Sequence, residues 1–168
     1  MKKLVLLTAF AALAVVGQNK ANERLVKNVR HELVMLPFYG VFDNLAYRVD
    51  GAKVTLFGQV QRPTIKSDAE KVVKRIEGVE SVVNEIEVLP NSPNDDRLRL
   101  ALFDAIYRKP QLNRYALMAV PSIHIIVKNG NATLVGWVST EGDKTVADLA
   151  AKGVPGVFSV KNELGVEK

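Results

Sequence analysis

A chain of 168 residues could hold one domain or two small ones. Its formal net charge of +5 owes much to Lys2, Lys3 and Lys20. Beyond residue 21, 20 basic residues face 18 acidic ones, which is no electrostatic footprint for nucleic acid. There is no cysteine, which excludes both a disulfide and a lipoprotein anchor through a lipobox thiol.

The first 21 residues read as a secretory signal. Met1-Lys2-Lys3 is a positive start, and Leu4 to Val16 follows as 13 residues with no charge. That run is too short for a spanning helix and suits an export signal. Gly17 and Ala21 are the small residues at which a peptidase could cut, and a retained anchor is the alternative. The expected compartment is the periplasm.

Asn22 to Leu36 predicts an amphipathic helix, with Leu25, Val29 and Leu33 at steps of four on one face and Pro37 as its stop. Leu45 to Val49 alternates as a strand should, and Asp50-Gly51 is a hairpin turn signal. Val54, Leu56, Gly58 and Val60 line one face of the next strand. A glycine at an inward position lets another backbone approach, so Gly58 is expected to lie where a helix crosses the sheet. Ser67-Asp-Ala-Glu70 has capping-box spacing and predicts the start of a second helix, which Gly78 ends. Val82, Ile86 and Val88 predict the inner face of a third strand. Asn84 shares their parity and is expected to satisfy backbone groups at the sheet end.

After the two-proline stretch Leu89 to Asn94 the plan repeats. VTLFGQV at 54–60 is answered by ATLVGWV at 132–138, an offset of 78 that also carries Gly58 onto Gly136, Gly78 onto Gly156 and Asn84 onto Asn162. A fixed-period match of this length marks a duplicated module. The first helix repeats at an offset of 73, with Leu98, Leu102 and Ile106 answering Leu25, Val29 and Leu33, so copy two carries five extra residues in the following loop. Asn94 or Asp95 is the expected cap of that helix. Asn129-Gly130 predicts the second hairpin turn, and Gly142 to Lys152 the second helix, with Val146, Leu149 and Ala150 inward and Gly153 as its stop. The predicted organisation is a signal at 1–21, one module at 22–89, a linker at 90–94 and a second module at 95–168. Each module is of the α+β class, helix–strand–strand–helix–strand. Each forms a three-stranded mixed sheet with both helices on one face, the third strand reached by a right-handed crossover.

The pattern G-x-V-T-L-x-G-x-V, a helix, then G-V-x-x-V-x-N-x-[LI]-x-V resembles the BON domain, named for bacterial OsmY and nodulation and also called the transport-associated domain. Copy one carries it at Gly51, Val54, Thr55, Leu56, Gly58, Val60, Gly78, Val79, Val82, Asn84, Ile86 and Val88. Copy two carries it at Gly130, Thr133, Leu134, Gly136, Val138, Gly156, Val157, Val160, Asn162, Leu164 and Val166, with Ala132 where valine is usual. The resemblance implies a non-enzymatic periplasmic or envelope protein. Its relatives are associated with osmotic-stress protection, anionic phospholipid, and secretin and channel assemblies. The motif residues Gly58, Gly78, Asn84, Gly136, Gly156 and Asn162 identify the fold and not a site.

No cofactor or metal is expected. His31 and His124 are the only histidines, one off the apolar helix face and one outward on its strand, so a zinc site is not expected. No nucleophile elbow and no phosphate-cradling loop is present, which argues against an enzyme. Two surfaces are too apolar for a solvated module. Ile126, Val135 and Trp137, with Phe57 and Val83 in copy one, lie on the open sheet faces, which are expected to be buried against each other or a partner. On the helix at 95–109, Leu100, Phe103 and Tyr107 form a second apolar stripe with Arg99 and Arg108 beside it, and the enlarged loop adds Arg114, Tyr115, Leu117 and Met118. Basic residues beside aromatic and aliphatic ones suit an anionic membrane surface. Packing of the two copies, or another subunit, would bury the same stripe. The expected partners are therefore anionic phospholipid or envelope proteins. The alternative is a soluble stress protein that holds unfolded clients.

Overall fold

The computed structural model describes residues 22–118 and 120–167; the expected signal segment lies outside them. Helix α1 covers 22–34. It is followed by β1 (Asn44–Asp50), β2 (Lys53–Val60), α2 (Pro63–Lys74), β3 (Ser81–Asn84) and β4 (Glu87–Val88). Module two has α3 (Pro93–Tyr107), a 3-10 turn (Asn113–Ala116), β5 (Ile123–Lys128), β6 (Asn131–Val138), α4 (Glu141–Lys152) and β7 (Ser159–Val166). The result is α+β, two α-β-β-α-β modules in tandem.

In each sheet the hairpin is antiparallel and the last strand lies parallel to the middle one. Module one interrupts its third strand into β3 and β4. The register is the same on both sides of the break, with Leu56 opposite Asn84 and Gln59 opposite Glu87. Helices cover one face of each sheet. Leu25, Val29 and Leu33 of α1 and Ile65, Ala69 and Val73 of α2 bury against Val54, Leu56 and Val60. Leu98, Leu102 and Ile106 of α3 and Ala147 and Ala151 of α4 do the same against Ile123, Ile125, Leu134 and Val138.

Three local expectations are corrected. Helix α2 opens at Pro63, not at Ser67, because proline's fixed φ suits the first helical position; the Ser67 hydroxyl donates back to the Thr64 carbonyl at 2.9 Å. Helix α3 opens at Pro93 and is capped by Ser92, whose Oγ accepts from the Asp95 amide, so neither Asn94 nor Asp95 is the cap. The third correction concerns Gly58 and Gly136. No helix crosses there. A Cβ on Gly58 would stand 2.1 Å from the Asn44 carbonyl oxygen, and one on Gly136 1.9 Å from that of Ser122. Both glycines have φ near the middle of the positive region, +113° and +115°. The close approach is that of the neighbouring antiparallel strand.

The two asparagines act as expected. Asn84 donates through Nδ2 to the Lys66 carbonyl of α2 and accepts at Oδ1 from the Ile86 amide. Asn162 makes the same pair of contacts with Lys144 and Leu164. Each staples a helix to the last strand of its sheet. Gly78 and Gly156 stand in the turns between those elements.

The modules meet through the loop that joins α1 to β1. The Ile125 amide of β5 donates to the Val41 carbonyl at 2.8 Å. Val41 and Phe42 pack into the core of module two. The His124 ring stacks on Tyr39 with centroids 5.6 Å apart, and its Nδ1–H donates to the Gly40 carbonyl at 3.2 Å. Asp43 braces the loop, accepting from the Gly40 and Gln61 amides. Lys128 of β5 pairs with Glu87 of β4. The loop covers part of the outer edge of β5, an edge strand that would otherwise offer unpaired backbone groups.

Candidate binding surface

Helix α3 has three sides. The first carries Leu98, Leu102 and Ile106 into the core of its own module. The second faces module one. Phe103 meets Phe42 edge-on at 6.2 Å and Tyr107 at 4.8 Å. Tyr107 is buried, and its hydroxyl donates to the Ile123 carbonyl at 2.6 Å. Burial pushes that hydroxyl's pKa well up, the hydrogen bond opposing only in part. Arg99 is buried as well, bonded to the Val127 carbonyl at 2.6 Å and to Asp96 at 2.5 Å. Asp95, also buried, accepts from the Asn129 and Gly130 amides and fixes the β5–β6 turn.

The stripe set out from the sequence is thereby divided. Arg99 and Tyr107 are internal, held by carbonyls of their own module, and Phe103 is half-covered where Phe42 of the module-one loop meets it. Leu100 is 64% exposed, and Arg108 is exposed and paired with Asp104. In the enlarged loop Tyr115 is buried: it receives the Ser139 amide and donates to Asp143 at 2.8 Å. Arg114 reaches the same carboxylate at 2.7 Å and lies over the Tyr115 ring. Burial alone would raise the Asp143 carboxyl, but the hydrogen bonds from Tyr115 and at Thr140 and the Arg114 charge hold it below the ordinary carboxylate range. Leu117 and Met118 project into solvent.

The third side of α3 borders α4. Together they frame a groove of about 390 Å³ lined by Ala101, Ala105, Ala150, Gly153, Val154 and Pro155, with Asp104, Lys109 and the 64%-exposed Leu149 at its rim. Module one supplies a built-in comparison. The α1–α2 groove, about 400 Å³, is lined by Asn28, His31, Glu32, Val72, Arg75, Ile76 and Glu77. At the offsets of 73 and 78, Asn28 answers Ala101, Glu32 answers Ala105, Arg75 answers Gly153 and Glu77 answers Pro155. Beside the groove, Lys27 answers Leu100 and Lys71 answers Leu149. One copy carries a polar, charged groove and the other an apolar one. Leu149, which the sequence places inward with Val146 and Ala150, is instead exposed, a correction to the expected helix face. It is a single leucine on a polar helix face, and comparison with Lys71 is the signal that finds it.

The open sheet faces border a shared cleft of about 750 Å³, lined among others by Phe57, Leu89, Ile126, Val135 and Lys161. Ile126 is buried, whereas Trp137, Phe57 and Val83 remain exposed. Among the described residues no cluster of three or more His, Asp or Glu could hold a metal ion, and no helix is long and apolar enough to cross a membrane.

The doubled module, with its parallel third strand and its asparagine staple, defines a class. The BON domain family matches residues 23–90 and again 95–168, and the chain belongs to that family. It is 32% identical over 123 residues to the osmotically-inducible protein Y of Escherichia coli K12, an alignment covering 72% of this chain and 61% of that protein. The chain thus aligns with less than two thirds of that relative's length. Among solved structures it is similar to CdsD, a structural protein of the type III secretion system of Chlamydia trachomatis. That likeness is 14% identical, covers 86% of this chain and 92% of the other, and has a TM-score of 0.33.

Proposed function

We propose that this chain is a non-enzymatic binding protein of the cell envelope, exported to the periplasm, whose second module docks on anionic phospholipid through the outer α3–α4 face. The observation that carries this is the change between copies: Lys27, Lys71, Glu32 and Arg75 in module one stand against Leu100, Leu149, Ala105 and Gly153 in module two. A charged groove has become an apolar one, with Leu149 exposed at its rim and Leu100 exposed beside it. Lys109 lines the groove. Exposed Arg97, Arg108 and Lys152 lie on or at the ends of the same two helices, Arg108 and Lys152 paired with Asp104 and Asp148. This basic-and-apolar combination suits acidic headgroups. Leu117 and Met118 beside Arg114 add a second apolar-and-basic spot. The charged start with its 13-residue apolar run supports export. The osmotically-inducible relative supports a role in osmotic stress.

The test is co-sedimentation with vesicles. The protein is expected to pellet with phosphatidylglycerol vesicles and not with phosphatidylcholine ones, and the Leu100→Asp/Leu149→Asp variant is expected to stay in solution with its melting temperature unchanged. Equal pelleting of the variant would overturn this surface. Suppression of client aggregation with no lipid binding would favour a soluble chaperone instead.

A further inference from the structure

Trp137 is the only tryptophan of the chain, and it is 59% exposed on the open face of module two. Its position is built. Gly165 lies opposite it on β7, and the indole rests across that glycine: a Cβ there would stand 2.5 Å from Cε3 and Cζ3 of the ring. The six-membered ring therefore reaches over the outermost strand of the sheet, which pairs on one side only. In module one the same opposed pair is Gln59 and Glu87. Glutamine to tryptophan and glutamate to glycine are changes that fit only together, since a side chain at 165 would lift the indole off the sheet.

Charge says what the platform takes. Glu163 and Glu167 share the parity of Gly165 and are exposed on either side of it. Diagonal neighbours of this kind on one sheet face lie within reach of long side chains. Glu163 pairs with Lys161, while Glu167 makes no ion pair among the described residues. A flat indole face is negative and attracts a cation, arginine above all, because the planar guanidinium stacks as well as pairs. The molecule also contains a precedent. The equivalent edge of module one receives a lysine from an edge strand, Lys128 of β5 on Glu87.

We infer that the free edge of β7, with Trp137, Glu163 and Glu167, is a docking site for an extended segment of a partner polypeptide that presents an arginine at the register of Gly165. The segment adds to the sheet by strand pairing, and the arginine supplies specificity. This site is separate from the α3–α4 face and does not depend on the membrane proposal.

Because Trp137 is alone, its fluorescence reports the site directly. The probe is a capped threonine- and serine-rich peptide with one central arginine, titrated into the full chain. A saturable change is expected, about tenfold weaker when glutamine replaces the arginine. That preference is expected to vanish in the Glu163→Gln/Glu167→Gln variant. Trp137→Gln, which installs the residue of module one, is expected to fold and to lose binding of a dye-labelled peptide followed by anisotropy. Equal affinity for the two peptides, a preference that survives the double substitution, or no response at all would overturn the inference. A response to phosphatidylcholine vesicles with none to the peptide would overturn it in favour of a choline headgroup.

Discussion

Replacing Gly136 with alanine places a methyl carbon 1.9 Å from the Ser122 carbonyl oxygen and holds it at a φ of +115°. Three costs add. A non-glycine residue in that region of backbone space costs about 1–3 kcal/mol. Crowding a filled site costs about 1–3 kcal/mol more, and here the obstacle is backbone and cannot swing aside. The Ser122 carbonyl accepts from the Trp137 amide at 3.0 Å, and forcing the strands apart loses that bond, worth about 1 kcal/mol. The total is about 3–7 kcal/mol, comparable to the whole stability of a small domain. Urea unfolding is the assay. With a slope of about 1–3 kcal/mol/M, the module-two transition is expected to shift down by roughly 2 M or to disappear. Gly78→Ala is the control, because it shares a positive φ of +91° but meets nothing within 4 Å; only the backbone strain remains, about 1–3 kcal/mol. If Gly136→Ala and Gly78→Ala moved the midpoint equally, the carbonyl contact would be refuted.

Four other outcomes are expected. Gly58→Ala should repeat the Gly136 result in module one, where the carbonyl stands 2.1 Å away, and circular dichroism melts should show it. Phe103→Asp puts a charge against Phe42 and Tyr107; it should lower stability by about 2–4 kcal/mol with or without vesicles, and a drop seen only with lipid would contradict the internal position. Asp95→Ala leaves the Asn129 and Gly130 amides unpaired, and hydrogen–deuterium exchange at that turn should accelerate with a loss of about 2–3 kcal/mol. Burial holds the His124 pKa below its ordinary value, the Gly40 hydrogen bond opposing in part. The unfolded chain therefore takes up the proton first, so stability is full above about pH 6.5 and falls as pH drops through the window below it. His124→Gln keeps a donor for Gly40 and should flatten that slope in melts between neutral and acid pH. Asp43, pushed up by burial, acts with the opposite sign in the window just above its ordinary value.

The repeat made the fold legible. Two copies of one pattern at a constant offset place every hairpin, crossover and asparagine, because each of those roles is local. What the sequence hid lies between the copies. A helical wheel groups Leu100, Phe103 and Tyr107 away from the core face, yet only Leu100 stands clear of it, since Tyr107 joins the core and Phe103 packs against it. The wheel cannot show that a loop sixty residues earlier, with Val41 and Phe42 at its tip, stands against one flank of that group. Nor does it show that Arg99 and Tyr107 can go inside, since each needs a backbone carbonyl, Val127 or Ile123, supplied by a different element. At Gly58 and Gly136 the parity argument found the right residues for the wrong reason. Sequence shows that space is scarce there and not what fills it.

The loop of module one that seats on β5 makes a head-to-tail contact, a loop of one module on an edge strand of the next. A head-to-tail interface that repeats without closing builds an open array. Here the corresponding loop of module two is five residues longer. Its first part is drawn inward: Leu112 and Tyr115 are buried in its own core, and Tyr115 is committed to Ser139 and Asp143. Side chains spent inside their own module cannot also serve a neighbour, so Leu112 and Tyr115 turn this part of the loop from a docking element into core.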